Sequence, residues 1–223
     1  MKTLIIAPHP DDELIGCGGT LLRRVAEGGT VGWILMTAMS QEAGWAPTAI
    51  AKRELEIERV RLGLGVQQEH FFPLGFCATM LDVVPLGSLV SKINDVFNLF
   101  KPQEVLLPYP GDVHSDHRIG FEAASACTKS FRHPSVRRVL AYETLSETNF
   151  IVDPRDHGFN PNFFIDIGHF LNRKISLFNT YESEVGEFPF PRSERAVRSL
   201  AEIRGVQAGV EAAEGFMLLR EFQ

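Results

Sequence analysis

Short apolar runs alternate with longer amphipathic stretches along most of the chain. The runs at residues 3–7 and 31–37 are rich in β-branched residues, which predicts two buried strands. Between them, residues 14–28 carry apolar side chains at near-helical spacing. A strand, a helix and a strand in this order predict a βαβ unit with parallel strands and a right-handed crossover.

The alternation continues to about residue 167 and then loosens. Further strands are predicted at 69–73, 104–108, 139–143 and 163–167, and further helices at 46–64, 89–100, 116–131, 170–181, 194–205 and 212–220. No repeat, linker or low-complexity tract divides the sequence. The pattern therefore predicts one α/β domain over 1–223, with a Rossmann-like, mostly parallel sheet, helices on both faces and an elaborated C-terminal third.

Composition and charge narrow the class of protein. A hydrophobic content of 44% and a charged content of 22% are ordinary for a globular domain. The net charge of −6 argues against a nucleic-acid partner. Cys17, Cys77 and Cys127 are odd in number and far apart, which is typical of free thiols in a reducing compartment. No apolar run approaches the roughly 20 residues of a membrane span, and no signal-peptide pattern opens the chain, so we expect a cytoplasmic protein.

A histidine and two adjacent carboxylates follow the first predicted strand. His9, Asp11 and Asp12 would lie at the carboxyl end of that strand, where open α/β sheets bind ligands. Neighbouring carboxylates repel each other unless a cation lies beside them. With a divalent cation, one carboxylate can ligate the metal while the other accepts a proton. The alternative is that Asp11 or Asp12 caps the following helix, and both roles can hold at once.

The glycines at 16, 18 and 19 invite comparison with dinucleotide-binding loops. The fingerprint G-x-G-x-x-G needs a third glycine where this chain has Leu21, and the glycines follow the His/Asp cluster rather than the strand. We therefore expect these small residues to let the first helix pack closely against the sheet.

A second His/Asp cluster follows the strand predicted at 104–108. His114 and His117 are three residues apart, so a helical turn places them on one side, with Asp116 between them. Catalytic zinc commonly takes three protein ligands and leaves a position for water. His9, Asp12 and one histidine of this cluster would supply such a set. The other histidine then has a separate task, with Asp116 as its orienting carboxylate.

The two clusters together resemble the motifs of a known family. A-x-H-P-D-D-E at 7–13 and H-x-D-H at 114–117 are similar to those of the PIG-L (LmbE-like) deacetylases, and the resemblance covers nearly the whole chain. Members remove N-acetyl groups from N-acetylglucosamine-containing substrates, usually with zinc. The resemblance implies a metal-dependent amidohydrolase that releases acetate and a free amine from a small-molecule amino sugar or its conjugate, with one zinc ion or, alternatively, ferrous iron.

The resemblance also implies roles for the residues of the first cluster and one of the second. His9, Asp12 and His117 match the metal ligands of the family. Asp11 matches the general base.

The remaining roles concern the leaving group and the substrate. His114 matches the histidine that stabilises the oxyanion or protonates the leaving amine, and Asp116 matches its partner. Arg53 matches a position of the substrate site. Members often carry Asp-Gly in the loop after the third strand, where this chain has Phe76-Cys77-Ala78-Thr79, and Asp82 is a candidate to replace that aspartate as a sugar contact. Some members have a tyrosine where this chain has Asp112.

Two rival functions stay open at this point. Gly-Asp-x-His at 111–114 also occurs in metallophosphoesterases, but these need a further histidine set that His133, His157 and His169 do not recognisably supply. A binding protein that keeps the fold and the metal without catalysis is the other rival. The complete set of motif residues argues against it.

The identity of the sugar is not encoded in either motif. We expect the loop at 75–86 and the segment 143–164 to select it. A monomer and a homo-oligomer are both compatible with the sequence.

Overall fold

The computed structural model describes residues 1–153 and 158–222, so His157 lies outside the described residues. A seven-stranded sheet forms the centre of the molecule. The strands are β1 (Lys2–Ala7), β2 (Thr30–Ala38), β3 (Phe71–Cys77), β4 (Glu104–Pro108), β5 (Arg138–Tyr142), β6 (Phe163–Asp166) and β7 (Ala213–Glu221). The α-helices are α1 (Asp12–Ala26), α2 (Pro47–Leu64), α3 (Leu86–Phe100), α4 (Ser115–Ala126), α5 (Leu171–Phe178) and α6 (Glu194–Ala208).

The strand order is β3-β2-β1-β4-β5-β7-β6. Pairing is parallel from β3 to β5, whereas β7 runs antiparallel to both β5 and β6. The predicted Rossmann-like α/β fold with a mostly parallel sheet is therefore confirmed, and most elements begin and end within a few residues of their predicted bounds.

The helix predicted at 212–220 is wrong, because this segment forms β7. A short apolar run does not distinguish a strand from a buried helix by its periodicity. Here Phe216 pairs with Tyr142 on one side and with Phe163 on the other. A helix at this place would leave the facing backbone groups of β5 and β6 without ladder partners, which is costly for buried groups.

The apolar core lies on both faces of the sheet. Successive residues of a strand point to opposite faces, and β1 follows this rule without interruption. Leu4 and Ile6 pack on the face covered by α3 and α4, whereas Ile5 and Ala7 pack on the face covered by α1. All four side chains are fully buried, so β1 is an interior strand of the sheet, covered on both faces in a three-layer structure.

The glycines of α1 let this helix approach the sheet closely, as predicted. A Cβ atom at Gly16 would lie 2.3 Å from Cδ2 of Tyr142, and one at Gly19 would lie 2.7 Å from side-chain atoms of Ile167. The Glu214 carboxylate accepts hydrogen bonds from the backbone amides of Gly19 and Thr20 at 2.9 and 2.7 Å. The glycines therefore serve helix packing and not nucleotide binding.

The topology creates a crevice at the carboxyl ends of β1 and β4. The chain moves from β1 outward through β2 to β3, then returns to place β4 on the other side of β1. Ligands of open α/β sheets bind where the strand order reverses in this way. Both predicted motif clusters follow these two strands, so the fold brings them to one crevice.

The helices within 1–153 and 158–222 do not include one whose length and apolar content would let it cross a membrane.

Replacing Gly16 with alanine tests the close packing of α1. We expect Gly16→Ala to lower the free energy of unfolding by about 1–3 kcal/mol, because the added methyl group overlaps the buried Tyr142 ring. Gly87→Ala is the matched control, since a Cβ atom there meets no atom within 4 Å; it should leave stability unchanged or raise it by up to about 1 kcal/mol. Urea denaturation measures both, and equal stabilities of Gly16→Ala and the wild type would contradict this account.

Candidate metal centre and active site

Three predicted ligands converge in the crevice between β1 and β4. One ligating atom from each of His9, Asp12 and His117 lies within 4.8 Å of the others. Oδ2 of Asp12 lies 3.4 Å from Nδ1 of His9 and 3.2 Å from Nε2 of His117. Two imidazoles and one carboxylate with an open side form a donor set typical of catalytic metal sites.

The Asp12 carboxylate supports the fit of a cation. This residue is 1% exposed, and its Oδ1 atom has no hydrogen-bond partner among the described residues. An ionised oxygen buried without a partner is costly. A divalent ion held by His9, Asp12 and His117 would remove that cost.

Each histidine of the triad is held by a second carboxylate. Nε2 of His9 donates to Oδ2 of Asp116 at 3.0 Å, and Nδ1 of His117 donates to Oδ2 of Asp112 at 2.8 Å. In the neutral rings these bonds would set the tautomers, so that Nδ1 of His9 and Nε2 of His117, on the side of Asp12, would carry the lone pairs that can bind a metal. Carboxylate–histidine pairs of this kind orient the ligands of metal centres.

The Asp116 carboxylate forms its hydrogen bonds with groups other than His114, unlike the pairing expected from its position in the motif. The carboxylate contacts His9 and accepts the backbone amides of Thr79 and Leu81 at 2.7 and 3.0 Å. The contact with His114 involves the backbone instead, because the amide of Asp116 donates to Nδ1 of that ring at 3.1 Å. Asp116 therefore supports a predicted metal ligand.

Asp112 was not among the predicted site residues. It is fully buried, contacts His117 and accepts the hydroxyl of Thr148 at 2.6 Å. A carboxylate five residues before a candidate histidine ligand was the available signal, because such residues often serve as its partner.

The electrostatics of the triad favour a cation. Burial lowers the pKa of His9, but hydrogen bonds to Asp116 and Asp12 outweigh it and raise this pKa to about 9. Burial likewise lowers the pKa of His117, and the charges and hydrogen bonds of Asp12 and Asp112 raise it to about 10. Burial raises the pKa of Asp12, yet the two histidines hold it well below its ordinary value. The surroundings that stabilise positive rings would also stabilise a metal ion.

Asp11 lies beside the triad in an unusual conformation. Its backbone has φ 124° and ψ −29°, which is strained for a residue other than glycine, and its side chain is 1% exposed. Oδ2 of Asp11 accepts a hydrogen bond from Nη1 of Arg192 at 2.8 Å. Burial raises the pKa of Asp11 to about 7, against the lowering effect of Arg192 and with help from the charges of Asp12 and Glu184.

Neither carboxylate of the pair caps α1, contrary to the capping expectation. Asp11 occupies the N-cap position, but its side chain makes no capping hydrogen bond. Oδ2 of Asp12 accepts a hydrogen bond from the backbone amide of His9, in the loop that precedes the helix, at 2.8 Å. The Asp11 carboxylate instead lines the cavity, and the Asp12 carboxylate lies between His9 and His117.

His114 borders the crevice at the N-cap of α4. Because its Nδ1 accepts a backbone amide, the neutral ring carries its proton on Nε2. Its ring centroid lies 4.4 Å from that of His9. Burial lowers the pKa of His114 to about 4, and the charges of His9 and His117 add to the lowering. The ring is thus a neutral hydrogen-bond donor near pH 7.

His9, Asp11 and His114 border a cavity of about 530 Å³. Its walls come from the segments after β1, β2 and β3, the N-terminal half of α2, His114 and the loop between α5 and α6. The lining residues are His9, Pro10, Asp11, Thr37, Ala38, Met39, Trp45, Ala49, Lys52, Arg53, Glu56, Ala78, Thr79, His114, Ser183, Glu184 and Arg192. A volume of this size suits a small ligand.

Of the two predicted substrate contacts, Arg53 borders the cavity and Asp82 does not. Arg53 lies in the cavity wall, where it contacts Ser183 at 2.6 Å and Glu184 at 2.5 Å. Asp82 is exposed, and it is not among the residues that line the cavity. Asp82 therefore does not border the cavity in which a substrate would bind.

The loops expected to select the sugar contribute little of the wall. From 75–86, only Ala78 and Thr79 line the cavity, and from 143–164, of which 154–157 lie outside the described residues, no described residue does so. Trp45 and the loop carrying Arg192 were not predicted. Neither has a local sequence signal, because both reach the site only through folding.

Comparison with known proteins identifies the family. The family model for GlcNAc-PI de-N-acetylase (PIG-L) matches residues 4–128, which hold both motif clusters. The chain belongs to the PIG-L family. The resemblance drawn from the two motifs is thereby confirmed.

Relatives extend the similarity over the whole chain. The diacetylchitobiose deacetylase of Thermococcus kodakarensis is 31% identical, over 96% of this chain and 81% of that protein. A conserved protein from Thermus thermophilus, known by its crystal structure, is 27% identical with a TM-score of 0.78, over 99% of this chain and 96% of that one. The N,N'-diacetylchitobiose deacetylase from Pyrococcus horikoshii shares the fold, with a TM-score of 0.76 and 21% identity, over 98% of this chain and 84% of that one.

Removing the carboxylate behind His117 tests the candidate metal centre. We expect Asp112→Asn to weaken Zn²⁺ binding by about 10–100-fold, because the ring loses the charged partner that orients it. Competition with a chromogenic chelator measures the affinity. Asp95→Asn, a change at an exposed position of α3, is the control and should bind as the wild type does. Unchanged affinity of Asp112→Asn would contradict the role given to this pair.

Proposed function

We propose that this protein is a metal-dependent deacetylase that hydrolyses the N-acetyl group of an N-acetylglucosamine-type sugar or sugar conjugate. The observation that carries the proposal is the position of Asp11 next to Asp12 of the His9/Asp12/His117 triad, with Asp11 and His9 both lining the cavity. Membership of the PIG-L family and the 31% identical diacetylchitobiose deacetylase support the same substrate class.

The donor set supports zinc as the metal. Two histidines and one carboxylate with an open position are common for catalytic zinc, and the same set also suits ferrous iron. When bound, the divalent ion would supply a Lewis acid and lower the pKa of a coordinated water. Metal analysis of the purified protein distinguishes zinc from iron.

Asp11 is the residue that we assign as general base. It would accept a proton from the water that attacks the amide carbon and would deliver a proton to the amine when the C–N bond breaks. Acetate and the free amino sugar are then the products. A pKa of about 7 suits this task, because a general base works best when its pKa lies near the working pH.

His114 is assigned to the carbonyl oxygen. Its Nε2–H would donate a hydrogen bond as negative charge develops on that oxygen, which is the part of the reaction that gains most from a fixed donor. The neutral ring observed here already carries this proton. Neutral His114 can therefore donate this hydrogen bond, and the ring does not have to be positively charged.

The cavity walls support a sugar as the substrate. Trp45 is 49% exposed and borders the cavity, so it offers an aromatic face with an N–H group at its edge. Arg53, Lys52 and Glu56 add polar groups to the same wall. A largely apolar cavity with a few polar groups is typical of small-molecule sites.

Acetate release from a substrate panel tests the proposed function. We expect the zinc-loaded protein to release acetate from N-acetylglucosamine or N,N'-diacetylchitobiose and to leave p-nitrophenyl phosphate intact. An enzyme-coupled acetate assay and phenolate absorbance are the two measurements. Phosphate-ester hydrolysis without acetate release would favour the rival phosphoesterase, and no turnover of any member would favour a binding protein.

Substitution of Asp11 tests its assignment as base. We expect Asp11→Asn to keep its bound metal and to lose about 10²–10⁴-fold in kcat, because the amide cannot accept the proton. Metal content is measured beside acetate release. Asp82→Asn is the matched control, since Asp82 is exposed and does not line the cavity, and it should retain wild-type turnover. Full activity of Asp11→Asn would exclude Asp11 as the base.

A further inference from the structure

Arg192 is a charged residue of the site that neither motif contains. It lies in the loop between α5 and α6, outside residues 4–128 that match the family model, and it borders the cavity. Its Nη1 atom donates to Oδ2 of Asp11 at 2.8 Å, across 181 positions of sequence. The C-terminal third therefore contributes a direct contact to the N-terminal motif.

The backbone of Asp11 is fixed separately from its side chain. Its carbonyl oxygen accepts the amides of Leu14 and Ile15, both at 2.9 Å, and its own amide donates to Glu13 at 3.0 Å. Among the described residues, Arg192 is the only group that donates a hydrogen bond to the Asp11 carboxylate. The direction of that carboxylate thus depends on the guanidinium.

The guanidinium is itself held from several sides. Nε of Arg192 donates to the hydroxyl of Ser146 at 3.0 Å, and Nη1 donates to Glu184 at 2.9 Å. Nη2 lies 3.5 Å from the carboxylate of Glu147. Because the guanidinium is a rigid planar fork, these contacts fix the position of the nitrogen that faces Asp11.

The loop that carries Arg192 is hydrogen-bonded to α2, which forms another part of the cavity wall. One carboxylate oxygen of Glu184 accepts a hydrogen bond from Arg192 at 2.9 Å, and the other accepts one from Arg53 of α2 at 2.5 Å. Arg53 also donates to the hydroxyl of Ser183. The two arginines and the carboxylate between them connect the walls of the cavity to the position of Asp11.

We propose that Arg192 is a positioning residue that holds the Asp11 carboxylate towards the reacting amide. This role rests on the proposed function, in which Asp11 is the base. A misplacement of about 1 Å in a reacting group can cost about 10²-fold in rate. Loss of Arg192 should therefore reduce kcat, with little effect on ground-state binding of the sugar.

The test compares Arg192→Ala and Arg192→Lys with the wild type as zinc-loaded proteins. We expect Arg192→Ala to lose about 10–100-fold in kcat with KM little changed and metal content intact. Arg192→Lys should fall between the two, because it keeps the charge but loses the planar fork. Guanidinium chloride at low concentration should restore part of the activity of Arg192→Ala and none of that of Asp11→Asn.

Arg195→Ala is the matched control, because this exposed arginine lies at the start of α6 with its guanidinium over Phe188. It should behave as the wild type does. A wild-type kcat in Arg192→Ala would overturn the proposal. So would a raised KM at unchanged kcat, which would make Arg192 a substrate contact, and so would a parallel loss of zinc.

Two further outcomes keep the proposal falsifiable. If Arg192→Ala does not fold, Arg192→Lys decides, and wild-type kcat in that variant would overturn the need for the planar fork. If the wild type itself releases no acetate from any member of the panel, the proposed function fails and this role falls with it. An active wild type with an unaffected Arg192→Ala overturns the positioning role alone.

Discussion

The carboxylate of Asp12, buried between two imidazole rings, is the interaction on which the site depends. Transfer of a charge out of water is costly unless the charge is paired and hydrogen-bonded. Here one oxygen is shared with His9 and His117, whereas the other has no hydrogen-bond partner among the described residues. A folded protein tolerates such an arrangement more readily when a cation completes it. The same buried charge helps to raise the pKa values of both neighbouring histidines, together with Asp116 for His9 and Asp112 for His117.

The carboxylates form two layers around the histidines. Asp12 lies on the inner side of both rings, and Asp116 and Asp112 lie behind them. Because each outer carboxylate accepts one ring N–H, each ring in its neutral form would present its lone pair inward. The rear carboxylates are held in turn by backbone amides in one case and by a threonine hydroxyl in the other. The geometry of the inner donors is thus set by residues outside the His9/Asp12/His117 triad.

Sequence reasoning predicted that the three candidate metal ligands would converge. His9, Asp12 and His117 each follow a strand of a parallel sheet, and the carboxyl ends of such strands meet at one edge. The partner of Asp116 was not predictable, since its neighbour in space is a histidine 107 positions away and its neighbour in sequence is another histidine. The strand β7 was missed for a related reason: only the edges of β5 and β6 determine that residues 213–221 are extended.

The chemistry and the shape of the cavity come from different parts of the chain. The residues assigned to metal binding and proton transfer lie within the first 117 positions, at the ends of two adjacent central strands. The remaining walls come from Trp45, from α2 and from the loop between α5 and α6. Surface loops tolerate change better than central strands do, so changes in these walls can alter the cavity without altering the candidate metal centre. Arg192 couples the two parts, because this residue of the wall contacts the carboxylate that would carry the proton.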